Sequence, residues 1–339
     1  MKSIYHGFLL VIIACSLQYV PNDLLLAYYY PWYYENDWSL HDYAGTPTLG
    51  QYGTDSPKTA SQHVAWAADH GIDGFFISWW GKDSLTDKHL KAGLLKADNV
   101  ERIRFAIYYE AFGVLDPVDG KKDHFVDFTE PAVLKRMIAD FEIMKADFFG
   151  NPSYLTVDGK PLVGLYVTRQ FRNLEASHIT ELEKAIGVDL YLVADDPFIV
   201  GKQRSPDTAV TPDVFDAYSP YNMFENANVR GGESALSFVQ REVMPVYEAW
   251  AKKRVFLSGF LPGYKDFRGH KVLTGNADEF RKIIELMKSL PYKPASKSID
   301  RIFVLTSFNE WWEGTTVEPA KEYGTSYLEV LREEFGENK

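Results

Sequence analysis

Cysteine is nearly absent from the 339 residues, with Cys15 the single example. A disulfide framework is therefore excluded, and thiol chemistry has no residue to use beyond that position. Histidine is also sparse. Its 8 residues are scattered, with no His-x-x-x-His pair, and the Asp195-Asp196 doublet lacks the glycine and spaced acids of a calcium loop. No metal and no cofactor are expected. Positive charge is outweighed, 36 Lys and Arg against 47 Asp and Glu, for a net charge of -11. That balance argues against nucleic acid, whose binding depends on basic side chains neutralising phosphates. A Gly-x-Gly-x-x-Gly fingerprint, a phosphate loop and a Gly-x-Ser-x-Gly elbow are all missing, which removes the usual signs of dinucleotide, nucleotide and serine-hydrolase sites.

Long apolar runs are missing as well. The stretch from Phe8 to Leu17, broken by Pro21, Asn22 and Asp23, is too short to cross a bilayer and has the length of a signal-peptide core. Residues 1–22 read as a signal peptide, possible alternatives being an ordinary buried strand or helix. Ile12-Ile13-Ala14-Cys15 resembles a bacterial lipobox, so the leader is either lipidated at Cys15 or simply cleaved nearby. The mature chain, 23–339, is expected to be secreted, periplasmic or held at the cell surface, with a lipid on Cys15 as its sole attachment to a membrane.

What the sequence does have is aromatic residues, 15% of the chain, with 21 Tyr, 22 Phe and 8 Trp. Core packing accounts for many of them, but flat Trp and Tyr rings are also what a protein offers to the apolar C–H faces of sugars. From residue 24 onward, short apolar runs alternate with segments of helical period. The strand candidates are Leu24 to Tyr30, Gly74 to Trp80, Arg104 to Tyr109, Pro161 to Val167, Leu190 to Ala194, Val214 to Tyr218, Arg254 to Phe260 and Arg301 to Phe308. Helix candidates between them include Thr59 to His70, Pro131 to Ala146, Ser177 to Ile186, Glu233 to Lys252 and Ala277 to Leu290. Thr129 and Asn276 are placed as N-caps, and Gly71 and Gly187 as stops. Strands apolar on both faces, alternating with helices, predict a single α/β domain, a (β/α)8 TIM barrel over residues 23–339.

In such a barrel the strand ends and the loops after them carry the site. They gather Tyr30 and Trp32, Trp79 and Trp80, Glu110, Tyr221, Tyr264, and then Asn309, Glu310, Trp311, Trp312 and Glu313. Aromatic rings beside carboxylates, amides and hydroxyls suit a polyhydroxylated ligand, so an oligosaccharide or polysaccharide is the expected partner. Glycoside hydrolysis needs two carboxyl groups about the anomeric carbon, and Glu310 and Glu313 are the candidates. The tryptophans next to them would raise a carboxyl pKa by desolvation. Taken alone, Glu-x-x-Glu also fits two solvated loop residues.

The segment Thr306-Ser307-Phe308-Asn309-Glu310-Trp311-Trp312-Glu313-Gly314-Thr315, with Glu318 after it, resembles the hallmark of glycoside hydrolase family 99, the endo-α-1,2-mannosidases and endo-α-1,2-mannanases. Supporting matches are Tyr29-Tyr30-Pro31-Trp32-Tyr33, Gly71-Ile72-Asp73-Gly74 leading to Ser78-Trp79-Trp80, Phe215-Asp216 leading to Tyr221, and Pro262-Gly263-Tyr264 before Arg268. The resemblance implies a retaining endo-acting α-mannosidase without a cofactor. In it Glu310 takes the proton of the sugar 2-hydroxyl to form a 1,2-anhydro sugar, and Glu313 acts as acid and then base. Tyr221 is then near the acid, and Glu110 binds sugar in the adjoining subsite. The chain departs from the family pattern at Trp312, where histidine is usual, and at Tyr108-Tyr109-Glu110-Ala111-Phe112, where the family reads His-x-Glu-Pro-Tyr. It is therefore read as a divergent member. Alternatives are a hydrolase of the same fold acting on another polysaccharide, a non-catalytic glycan-binding barrel, and a lipid-anchored partner in a glycan uptake or export complex.

Overall fold

The computed structural model describes residues 22–39, 43–121, 123–199, 202–203, 206–207, 214–221, 223, 229–266 and 272–336. Residues 1–21, which include Cys15 and most of the segment read as a signal peptide, and Arg268 lie outside them.

Eight parallel strands organise the molecule: β1 (Asp23–Tyr29), β2 (Gly74–Trp79), β3 (Arg104–Tyr109), β4 (Lys160–Leu165), β5 (Tyr191–Ala194), β6 (Ala217–Tyr218), β7 (Ser258–Phe260) and β8 (Arg301–Leu305). Their order in the sheet is β6-β5-β4-β3-β2-β1-β8-β7. The two end strands meet at one parallel bridge, Tyr218 to Phe256, where Tyr218 N donates to Val255 O at 3.0 Å and Leu257 N donates to Tyr218 O at 2.9 Å. The sequence places β6 from Val214 and β7 from Arg254. Both are shorter in the structure, because a single bridge replaces a ladder at this junction.

Helices α1 (Pro57–Asp69), α2 (Leu85–Ala92), α3 (Ala111–Leu115), α4 (Pro131–Met144), α5 (Ala176–Ile186), α6 (Ala235–Phe238), α7 (Met244–Lys253), α8 (Ala277–Lys288) and α9 (Ser326–Leu331) lie in the connections between the strands and after β8. The connection from β5 to β6 departs from the strict alternation. Among the described residues it holds no helix, and a small antiparallel pair, Phe198–Ile199 with Lys202–Gln203, follows the Asp196-Pro197 turn. The helix expected over Glu233 to Lys252 is broken by a π turn at Val239–Val243. Pro245 is the cause, since it has no N–H to give the carbonyl one turn back. Asn276 caps α8 by accepting from Glu279 N at 3.0 Å, and Gly187 ends α5 at φ 66°. Thr129 is not a cap. Its hydroxyl donates to Asp127 Oδ1 at 2.8 Å, and Glu130 precedes Pro131 without a side-chain cap. Among the described residues no helix is long and apolar enough to cross a membrane.

The pleat sorts the aromatic strands into two layers, because neighbouring side chains point to opposite faces. Tyr29, Trp79 and Tyr109 face the helices: Tyr29 Oη lies 3.1 Å from His63 Nδ1 on α1, Trp79 Nε1 donates to Asp87 Oδ1 on α2 at 2.9 Å, and Tyr109 donates to Asp140 Oδ2 on α4 at 2.6 Å. Tyr28, Phe76 and Tyr108 face inward, with Tyr28 to Phe76 ring centroids 5.5 Å apart and Phe76 to Tyr108 5.0 Å. Gly164 on β4 leaves room for these rings, since a Cβ there would lie 2.3 Å from Phe76 Cζ and 2.5 Å from Tyr108 Cδ2.

Candidate active site

The inward register continues past the strand ends, so Tyr30, Ser78, Glu110 and the chain after β8 converge on one mouth. Asn309 builds its floor. Its Oδ1 accepts from Tyr30 N at 2.8 Å and its Nδ2 donates to Tyr30 O at 3.1 Å, clamping the ends of β1 and β8 together. Asn309 is fully buried, so the side chain expected to bind substrate instead has its amide occupied by backbone.

After Asn309 the chain turns, and Glu310 and Glu313 are presented differently. Glu310 is 2% exposed; its Oε1 accepts from Trp312 N at 2.9 Å and from the Tyr33 hydroxyl at 3.4 Å. Burial, and then the charge of Glu313, hold its carboxyl well above the usual range. Glu313 is half-buried, and its Oε2 accepts from the Tyr221 hydroxyl at 3.0 Å. Gly314, at φ +63°, reverses the chain immediately afterwards. A Cβ there would strain the backbone and approach Ala44 Cβ to 2.7 Å.

Glu110 faces this pair from the end of β3. It is 5% exposed, accepts from Ser78 Oγ at 2.5 Å, and has its carboxyl pushed up to about 8, first by burial and further by Asp195 and Glu313. Tyr30 feels Glu310, Glu110 and Glu313 together, and burial with these charges raises its hydroxyl well above the ordinary tyrosine value. The ring of Trp32 lies 4.5 Å from Tyr30, and Tyr30 lies 6.4 Å from Tyr221.

Beneath the motif, Glu318 is fully buried. It accepts from Tyr52 Oη at 2.7 Å and from Trp311 Nε1 at 3.0 Å, and pairs with His63 Nε2 at 3.3 Å. This network seats the indole that stands between the two candidate glutamates.

Of the expected substrate-binding residues, Tyr30, Trp32, Glu110, Tyr221 and Trp312 gather with Glu310 and Glu313, and Trp80 sits on the rim, 41% exposed. Trp79 does not join them. It is fully buried on the opposite face of β2, its ring 6.1 Å from Phe148 in the helical layer. Tyr264 is engaged by a neighbour: its hydroxyl donates to Asp266 Oδ2 at 2.8 Å, and with Trp311 and Gly314 it lines a cavity of about 270 Å³. Tyr33, Ser78 and Asp195 stand at strand ends in the sequence but have no site role assigned there. The period-2 pleat marks Ser78, two residues before Trp80 and in phase with Tyr28, and Asp195 directly follows a predicted strand, but no local pattern records the partners of Asp195 or Tyr33. Among the described residues, no group of three or more His, Cys, Asp or Glu could hold a metal ion.

A family profile described as glycosyltransferase WbsX matches residues 35–331. The chain belongs to that family. This WbsX family member shares its fold with a glycoside hydrolase-like protein at 17% identity and a TM-score of 0.67, over 93% of this chain and 94% of the other. It is similarly close to the glycoside hydrolase family 99 endo-α-mannosidase of Bacteroides thetaiotaomicron, solved with bis-tris propane: 18% identity, TM-score 0.65, over 94% and 98% of the two chains. The resemblance read from the strand-8 motif is thus met at the level of the whole fold. A comparison with curated proteins found no match.

Proposed function

We propose that this WbsX family member is a retaining, endo-acting glycoside hydrolase that cleaves α-mannosidic or related α-glycosidic linkages in a closed (β/α)8 barrel. The observation that carries this reading is the Glu310–Glu313 pair. Two carboxyls on one turn have opposite environments, one buried and pushed toward its neutral form, the other open to the mouth and held by a tyrosine hydroxyl. Two coupled carboxyls with unlike environments are what acid and base work requires.

In the assignment taken from the family resemblance, Glu310 removes the 2-hydroxyl proton while O2 attacks C1, and Glu313 protonates the departing oxygen. Glu313 then takes a proton from water as it opens the 1,2-anhydro ring, and Glu310 returns its proton to O2. Attack on C1 occurs twice, so configuration is retained. A second assignment, with the two roles exchanged, is favoured by the deep burial of Glu310, which holds its carboxyl toward the neutral form an acid needs. A substrate with an activated aryl leaving group separates them. The Glu→Gln variant that still turns it over, while failing on the natural linkage, has lost the acid.

The family description also suggests a sugar transferase. A nucleotide-diphosphate donor would meet Glu110, Glu310 and Glu313 in this mouth. Arg169, the guanidinium next to this cluster among the described residues, is already bonded to Asp195. A guanidinium already engaged by Asp195 offers a diphosphate little, which favours an uncharged glycan.

The reading is tested by incubating the protein with yeast α-mannan and other α-glycans and identifying products by mass and linkage. Released sugar that disappears in Glu313→Gln supports it. A panel that is bound but never cut would leave a glycan-binding barrel instead. We place the mature chain outside the cytoplasm, secreted, periplasmic or anchored through Cys15. Mass analysis of the mature N-terminus distinguishes a lipid from simple cleavage.

A further inference from the structure

Below the mouth, three consecutive loops meet on one buried carboxylate. Asp195 directly follows β5, and its Oδ2 pairs with Arg169 Nη1 at 2.7 Å, the two side chains being 2% and 3% exposed. The same Oδ2 accepts from Val167 N at 3.1 Å, after β4, while Oδ1 accepts from Tyr221 N at 3.3 Å, after β6. The backbone repeats the connection, because Arg169 N donates to Asp195 O at 3.3 Å. Val167 itself has φ 58° and ψ 39°, left-handed backbone that a β-branched residue rarely adopts. Such a conformation persists where its surroundings hold it, and the bond from Val167 N to Asp195 does so.

We propose that Asp195, paired with Arg169, is a positioning residue that holds Tyr221 in place so that its hydroxyl meets Glu313. Only the effect on rate rests on the hydrolytic reading above. Tyr221 is the residue that touches both partners, Asp195 through its backbone N–H and Glu313 through its hydroxyl. Asp195 never reaches the mouth and so acts through Tyr221. Its charge is also felt by Glu110, which it helps to keep protonated. Glu110 is faced by Tyr28 from β1 and Tyr30 just after it, Ser78 from β2, Tyr108 from β3, Asp195 after β5 and Glu313 after β8. Removing Asp195 and Arg169 together takes one carboxylate away from Glu110, leaves the net charge unchanged and touches neither Glu310 nor Glu313.

The test is the double variant Asp195→Asn/Arg169→Met, which leaves no buried charge alone. Protein labelled with ¹³C at glutamate Cδ and tyrosine Cζ is titrated by NMR, with Glu110→Gln, Glu313→Gln and Tyr221→Phe used only for assignment. In the double variant the Glu110 midpoint is expected to fall by about half a unit or more, and the Tyr221 resonance to stop following the Glu313 titration. On yeast α-mannan, kcat is expected to fall about 10-fold or more with KM changed by less than about 3-fold. Unchanged titrations of Glu110 and Tyr221 would overturn the proposal. If the double variant fails to fold, Asp195→Glu keeps the charge but moves the oxygen that Tyr221 N meets, and the same uncoupling of Tyr221 from Glu313 is expected. A wild-type protein that releases nothing from mannan would count against hydrolysis, while the NMR measurement would still decide the positioning role.

Discussion

The Tyr221 hydroxyl donates a 3.0 Å hydrogen bond to Glu313 Oε2, joining the loop after β6 to the motif after β8 across the mouth. A bond to a carboxylate at this position stabilises its charged form. Tyr221→Phe is therefore expected to raise the apparent pKa of Glu313 and to lower kcat about 10- to 100-fold, matching a charged hydrogen bond of about 1.5–3 kcal/mol. A pH–rate profile of the variant checks both, and an unmoved profile would remove Tyr221 from the chemistry.

Glu110 lends itself to a stability measurement. Its carboxyl is raised to about 8 in the fold, chiefly by burial, against about 4.3 in an unfolded chain. Because the folded state holds this proton more tightly, its contribution is complete below about pH 4, declines as pH rises toward about 8, and is constant above. Glu110→Gln keeps an acceptor for Ser78 but removes the titration. Urea unfolding at pH 5 and pH 8 should show the variant losing less stability than wild type over that interval, by a few kcal/mol on the order given by linkage.

Trp79 and Trp80 are neighbours with opposite predicted behaviour. Trp79→Ala empties a fully buried site between sheet and helices and is expected to cost about 3–5 kcal/mol. Trp80→Ala should leave the melting temperature within about 2 °C, as surface changes do, while weakening glycan binding. Paired thermal melts and glycan titrations distinguish them. A Trp79→Ala protein of normal stability would contradict the assigned layer.

Glu318 accepts from Tyr52 and Trp311 where no water reaches. Glu318→Leu leaves the buried Tyr52 hydroxyl without its acceptor and leaves the Trp311 indole only its 3.2 Å bond to Tyr52 Oη. A loss of several kcal/mol is expected from about 1–3 kcal/mol per orphaned group, with thermal unfolding as the measurement. Glu318→Gln, which keeps one acceptor, should lose less.

The sequence by itself determined the parallel α/β architecture, because strands buried on both faces must read as apolar runs and their helices must show a 3.6-residue period. It also determined where to look, since Glu310 and Glu313 are close along the chain and lie at the end of the last strand. Residues grouped by local order could be read this way, and Tyr30, Trp32 and Trp80 are examples. Only the tertiary structure decided which face of β2 Trp79 occupies, that Asn309 bonds backbone instead of ligand, and that Tyr264 turns toward Asp266. It alone brought Asp195 beneath Tyr221, and Glu318 to His63 from a helix some 250 positions earlier in the sequence, a separation of 255 residues by number. The physical reason is that a buried polar group takes whichever partner folding brings within about 3 Å. Such partners come from strands and loops far apart in the chain, and no pattern of neighbouring residues records them.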